Sequence, residues 1–284
     1  MRIVSFKHDG ERRLGVRSGD LVIDLNRADP EIPADLKAFL SGGPGMVSRA
    51  TRAVESGQAA ISASDVQVLA PISDPDKIIC IGLNYADHAV ETKMEVPTEP
   101  VVFAKYATAL IGPGDGIRIP PSSAKVDYEA ELVAVIGKAG RDIAEADALG
   151  YVAGYTVGHD VSARDYQLEK PAGQWLLGKT FDTFAPIGPD FVTADEIPDP
   201  HALGVRCVLN GQTVQESCTD QLIFRIDRLI SYLSHVFTFT PGDLLFTGTP
   251  PGVGMARTPP LWLKSGDTVV CEVDGIGRLE NPVV

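Results

Sequence analysis

The chain has 284 residues, of which 44% are hydrophobic and 22% charged, and its formal net charge is −13. That suits one large globular domain, or one domain with a smaller companion. The acidic balance argues against nucleic acid as a partner, since that needs a basic surface, but it leaves room for a small anionic substrate held by a few local cations. The cysteines, Cys80, Cys207, Cys218 and Cys271, form no CxxC pair and suggest no zinc cluster. Reduced thiols and an N-terminus without a signal-peptide core fit a cytoplasmic protein. No apolar run is long enough to cross a bilayer.

Residues 1–25 read as a small antiparallel meander, with RIVSF, RRLGVR and LVIDL separated by Asp9-Gly10 and Gly19-Asp20. Residues 33–57 read as helical, broken at 41–45. Pro71 and the DPD at 74–76 mark a boundary near 70. The first 70 residues are therefore expected to form a small α+β support domain, and residues 71–284 the catalytic domain. KIICIG (77–82) is a short apolar strand. LNYADHAVETKMEVPTEP starts helical, has no strong apolar face and ends in Pro97 and Pro100, as a lid between strands would. VVFAKY (101–106) is a strand. VDYEAELVAVIG (126–137) is almost wholly apolar from Ala130 on and reads as a strand buried on both faces.

A polar, helix-like stretch at 141–150 leads into a strand at 151–160. Ser162 stands where an N-cap would, opening a short helix over SARDYQLEK. Asn210-Gly211 joins two strands as a hairpin. Residues 222–237 carry helical apolar spacing, PGDLLFTGTPPGVG runs from a strand into a turn, and Asp274-Gly275 closes a last hairpin. Strands dominate and no βαβ rhythm appears. This implies a mixed, mainly β architecture folded over as a sandwich or roll.

Glu129 and Glu131 stand at the head of the apolar strand, and side chains two apart on a strand point the same way. At a solvated strand end they are harmless; at the edge of a core they call for a cation. Asp160, closing GYVAGYTVGHD, adds a third carboxylate in similar surroundings. With no histidine or cysteine in the pattern, the trio favours Mg²⁺, Mn²⁺ or Ca²⁺. Three carboxylates leave about half of an octahedral shell for water and substrate. His159 points to the opposite side of a regular strand and reads as a core or supporting residue.

His88 and Glu91, in NYADHAVE, are helix neighbours, and such a carboxylate steadies an imidazole base unless the pair is merely exposed. Arg164 and Gln167 share a helix face and suit a carboxylate or carbonyl, or else a solvated surface. Lys179 lies among apolar residues and glycines and needs a partner if buried; a substrate carboxylate would serve. Lys105 invites the same reading more weakly. TGTPPGVG (247–254) lacks GK[ST], and its prolines remove backbone donors, so nucleotide binding is rejected. Thr249 and nearby amides remain suited to a carboxylate.

Taken together, IGLNYADHAVE, YEAELVAVIGK, GYTVGHDVSARDYQ, GKTFDTFAPIGP and FTGTPPGVG, in that order over about residues 70–284, resemble the fumarylacetoacetate hydrolase family. The resemblance implies a β-sandwich roll, a homodimer, and Mg²⁺ or Mn²⁺ in the site. It implies metal ligation by Glu129, Glu131 and Asp160, and a catalytic lid dyad of His88 and Glu91. Substrate contacts fall to Arg164, Gln167, Lys179 and Thr249, with Lys179 also counted as catalytic.

The activity expected from this is hydrolysis of the C3–C4 bond of a 2,4-diketo acid of the acylpyruvate type, with the 2,4-diketo-3-deoxy sugar acids favoured. The products would be pyruvate and a carboxylic acid. In this scheme His88, oriented by Glu91, takes a proton from the attacking water. Decarboxylation of oxaloacetate is a rival that needs no attacking water. Isomerisation or decarboxylation of a 2-hydroxy-diene dioate is another. A metal-stabilised binding protein without turnover is the reading of a different class, and it implies a filled coordination shell.

Overall fold

A computed structural model describes residues 1–87 and 96–284. The N-terminal meander forms as its turn chemistry dictates: β1 (Arg2–His8), β2 (Glu11–Ser18) and β3 (Leu21–Asp24) are antiparallel neighbours. Asp9 and Gly10 take positive φ of 51° and 84° between the first two, the geometry that matches strand twist in a two-residue hairpin. The expected helical region is two helices, Leu36–Ser41 and Gly43–Glu55, hinged at Gly42. β4 (Ala60–Ser62) pairs with β3, and β5 (Gln67–Val68) with β1.

The remaining strands are β6 (Ile78–Gly82), β7 (Val101–Lys105), β8 (Leu110–Ile111), β9 (Val126–Asp127), β10 (Ala130–Ile136), β11 (Val152–His159), β12 (Ser162–Ala163) and β13 (Ala185–Thr193). They are followed by β14 (Gly204–Leu209), β15 (Gln212–Cys218), β16 (Leu244–Phe246), β17 (Thr268–Val273) and β18 (Gly277–Pro282). Among the described residues one sheet runs β4-β3-β2-β1-β13-β11-β10-β16-β6-β7, and a second runs β15-β14-β17-β18. The mixed, mainly β fold follows. The ladder between β1 and β13 carries the sheet across the boundary expected near residue 70.

The period of β10 explains the layers. Leu132, Ala134 and Ile136 share a core with Val205, Cys207, Val269 and Leu279 of the second sheet, which makes the sandwich. Val133 and Val135 face the other way and pack with Ile3, Leu14, Phe39 and Phe246. Each strand residue is buried, as a strand covered on both faces requires. Glu131 shares the parity of Val133, so its side chain leaves the sheet on the face away from the second sheet.

Three local expectations are corrected. Ser162 is not a helix cap: it belongs to β12, pairs with Asp127, and its Oγ donates to Asp160 O at 2.9 Å. The helix starts one residue after Ala163, at Arg164–Glu169. The helix-like stretch at 141–150 is a 3₁₀ turn, Glu145–Tyr151. The helix expected over 222–237 is shortened to Ile226–Ser234, because Asn84 takes the chain before it. Asn84 Oδ1 accepts from Phe224 N–H at 2.8 Å, and Asn84 O accepts from Ile223 N–H.

Candidate active site

The β10–β11 hairpin register assembles the carboxylates. Ala130 lies opposite His159, which brings Glu129 level with Asp160, and Asp160 N–H donates to Glu129 O at 2.9 Å. Glu131 is two residues on, on the same side. One oxygen from each of Glu129, Glu131 and Asp160 lies within 4.8 Å of the others, and all three side chains are buried. Glu129 and Glu131 line a solvent-open cleft with about 560 Å³ of empty space, together with Arg164, Gln167, Lys179 and Thr249, and Asp160 lies buried beneath them. Ile81, Leu83, Trp175 and Met255 supply its apolar walls. His88 and Glu91 lie outside the described residues.

Three cations surround the trio. Lys179, 2% exposed at the end of the helix Trp175–Lys179, donates to Glu129 Oε2 at 2.7 Å and to Asp160 Oδ2 at 3.0 Å. Its buried partners are thus protein carboxylates. Arg164 donates from Nε to Asp127 Oδ2 at 2.8 Å, from Nη2 to Glu129 Oε1 at 2.6 Å, and from Nη1 to Gln167 Oε1 at 2.8 Å. A guanidinium has five N–H groups, so two remain beyond these. Lys105, at the end of β7 and 3% exposed, donates to the carbonyls of Val161, Lys179 and Phe184.

Those carbonyls use all three ammonium protons of Lys105. Its Nζ also comes within 2.6 Å of Asp160 Oδ1, a buried oxygen with no hydrogen-bond donor among the described residues. The contact is therefore charge against charge, with a lone pair left over. Burial works to raise the carboxyl of Glu129, but Lys179 and Arg164 outweigh it and hold its pKa at about 2. Burial, then the charges of Asp160 and Glu129, push Glu131 well above the usual carboxylate range. Burial pulls Lys179 down while Asp160 and Glu129 overcome it, so its ammonium keeps its proton.

The residues fit a hard divalent cation. Three buried carboxylates converge here, Glu131 is pushed up by burial and then by its acidic neighbours and is relieved by positive charge, and every candidate donor is oxygen.

The Thr247–Gly254 turn closes the site from the side. Gly248, at φ +105°, turns its N–H to Glu131 Oε2 at 2.8 Å. Thr249 Oγ1 donates to Ala130 O at 3.0 Å and accepts from Gln215 Nε2 at 2.9 Å, so its hydroxyl proton is committed to the strand. Asp127 was not singled out in the sequence, although it is buried and accepts from Arg164, Tyr128 N–H, Gly254 N–H and Met255 N–H. Its place two residues before Glu129 was the available signal. Gly254 must lack a Cβ, because one would come within 1.9 Å of Leu261 O.

His159 is 1% exposed, and burial first, then Lys105, hold its pKa down at about 3 against an ordinary 6.5. A depressed imidazole contributes stability that is present above the unfolded value and lost as pH falls through the folded one. In metal-free protein, lowering pH from 7 to about 4.5 should cost the wild type ~2 kcal/mol more than His159→Gln. Urea unfolding at the two pH values reads this; equal losses would show that His159 does not titrate in that window.

The family model described as fumarylacetoacetate (FAA) hydrolase C-terminal matches residues 77–284. The mitochondrial oxaloacetate tautomerase fahd2 of Xenopus laevis is 51% identical over 288 residues, covering 100% of this chain and 90% of its own length. A solved fumarylacetoacetate hydrolase from Exiguobacterium antarcticum has a TM-score of 0.87 at 33% identity, covering 100% of this chain and 99% of that one. Maleylpyruvate hydrolase from Sphingobium sp. SYK-6, solved with manganese(II) and pyruvate, has a TM-score of 0.83 at 31% identity, with coverage of 100% and 99%. The Xenopus laevis and human relatives are named as mitochondrial, which overturns the expected cytoplasmic location.

Proposed function

Since the chain belongs to the fumarylacetoacetate hydrolase family, we propose that it interconverts the enol and keto forms of oxaloacetate, with Mg²⁺ or Mn²⁺ held by Glu129, Glu131 and Asp160. The observation that carries the substrate is the full-length 51% identity to an oxaloacetate tautomerase. This displaces hydrolysis of a 2,4-diketo sugar acid as the main reading.

The reaction moves one proton between C3 and the C2 oxygen, with no bond to water and no loss of CO₂. A divalent cation held by Glu129, Glu131 and Asp160 would supply Lewis-acid polarisation of a 2-oxo acid, which makes its C3 protons more acidic. The chain's residues supply the rest. Lys179 Nζ retains its proton and sets positive charge where the C2 oxygen gains electrons, while its bonds to Glu129 and Asp160 keep it in place. The spare N–H groups of Arg164, with Gln167, orient a substrate carboxylate. Ile81, Leu83, Trp175 and Met255 keep bulk water from the carbanionic carbon. The base at C3 is assigned to His88, steadied by Glu91, from the sequence.

Hydrolysis of an acylpyruvate is the second reading, favoured by the likeness to maleylpyruvate hydrolase. The two separate in one experiment. Enol oxaloacetate is followed by its ultraviolet absorbance with Mn²⁺ present, while pyruvate is assayed in parallel. The expected result is accelerated enol decay without pyruvate, and deuterium entering C3 from D₂O. Stoichiometric pyruvate from oxaloacetate would make the protein a decarboxylase, and pyruvate from acylpyruvates with no effect on the enol would make it a hydrolase.

A further inference from the structure

β10 loses its neighbour just where it bears the carboxylates. β16 pairs with it from Val133 to Val135, and Thr247 N–H reaches Leu132 O at 3.2 Å. The chain then turns away at Gly248. Among the described residues, Ala130, between Glu129 and Glu131, has no strand on that side and is left with one donor and one acceptor to satisfy. Gln215 fills the gap. Its Oε1 accepts from Ala130 N–H at 2.9 Å, and its Nε2 donates to Thr249 Oγ1 at 2.9 Å and Pro250 O at 2.8 Å. Thr249 Oγ1 in turn donates to Ala130 O at 3.0 Å. A side-chain amide and a hydroxyl stand in for the missing peptide group.

The second sheet is bent to deliver that amide. Cys207 opposes Gln215 but Val208 opposes Thr213, so Val214 is the extra residue of a bulge. Strict alternation would bury one of Val214 and Gln215, yet both are buried, at 5% and 2% exposure. A bulge re-aims a side chain in this way. Glutamine has no reason to enter an apolar core unless its polar atoms are matched, and here both ends are.

We propose that Gln215 is a positioning residue of the metal centre: it replaces the absent strand beside Ala130 and thereby fixes the two flanking carboxylates. The proposal rests on reading Glu129, Glu131 and Asp160 as metal ligands. Without the amide, the Ala130 N–H loses its acceptor and Thr249 Oγ1 loses the donor that holds it against Ala130 O, and the oxygens of Glu129 and Glu131 drift from Asp160. Groups that orient metal ligands without touching the metal are typically worth about 10–100-fold in affinity.

The test is Mn²⁺ titration of metal-stripped protein by calorimetry, with thermal melts of the same samples and no substrate. Gln215→Met and Thr249→Val should each bind Mn²⁺ about 10–100-fold more weakly than wild type, and Thr249→Ser, which keeps the hydroxyl, should bind like wild type. Thr249→Val probes the same strand end without altering β15, so the outcome does not hang on whether Gln215→Met folds. Lower melting temperatures with unchanged Mn²⁺ affinity in both variants would make these residues packing groups and overturn the proposal. Wild-type protein that takes up no Mn²⁺ would instead remove the metal reading itself.

Discussion

Glu131→Gln should make the metal-free protein more stable and the enzyme inactive. Burial and the neighbouring charges of Asp160 and Glu129 hold the Glu131 carboxyl well above its usual range, so the side chain is disfavoured as an anion in the absence of a cation. Glutamine has the same shape, carries no charge, and its Oε1 can still accept from Gly248 N–H. Glutamine removes the cost of protonating a carboxyl in order to bury it, which is expected to add ~1–3 kcal/mol to the metal-free protein. The same change replaces one of the three proposed anionic ligands by a neutral amide oxygen, and turnover should fall by at least ~10²-fold. Denaturant unfolding with and without Mn²⁺ checks both halves. Wild type should gain stability from Mn²⁺ by mass action, whereas the variant should start higher and gain little. A variant less stable than wild type that still responds fully to Mn²⁺ would show that Glu131 is not a ligand.

The sequence made the acidic trio legible because its parts lie on one hairpin. An apolar run with two glutamates at its head, followed by a second strand ending in aspartate, needs only antiparallel pairing to bring Glu129 level with Asp160. Lys179 stood out for a physical reason also: a lysine among glycines and apolar residues must find a charge if buried, and it finds two. Gln215 gave no such signal. Its role depends on where β16 leaves the sheet and on a bulge in β15, and neither has a local signature. Lys105 was only faintly legible, since its partners are main-chain carbonyls that no side-chain pattern advertises. Ser162 misled because a serine before a helix favours capping, while pairing with Asp127 recruited it into a strand instead.

Lys179→Met should affect stability, metal affinity and rate in ways that are rarely combined. Lys179 neutralises Glu129 and Asp160 at 2.7 and 3.0 Å inside a buried site. Removing one partner of such a cluster leaves uncompensated charge, and the metal-free protein should lose ~3–5 kcal/mol. The Glu129 carboxyl, held at about 2 by Lys179 and Arg164 against burial, should titrate higher with Arg164 alone. The ammonium also competes with a divalent ion for the same oxygens, so its removal should tighten Mn²⁺ binding, and added Mn²⁺ should recover most of the lost stability. Turnover should nonetheless fall by ~10²–10⁴, because the cation proposed to face the C2 oxygen is gone. Tighter Mn²⁺ binding together with collapsed turnover would separate a catalytic ammonium from one that merely neutralises Glu129 and Asp160. Weaker Mn²⁺ binding with turnover intact at saturating metal would assign Lys179 to holding the ligands in place and leave the developing charge on oxygen to another group.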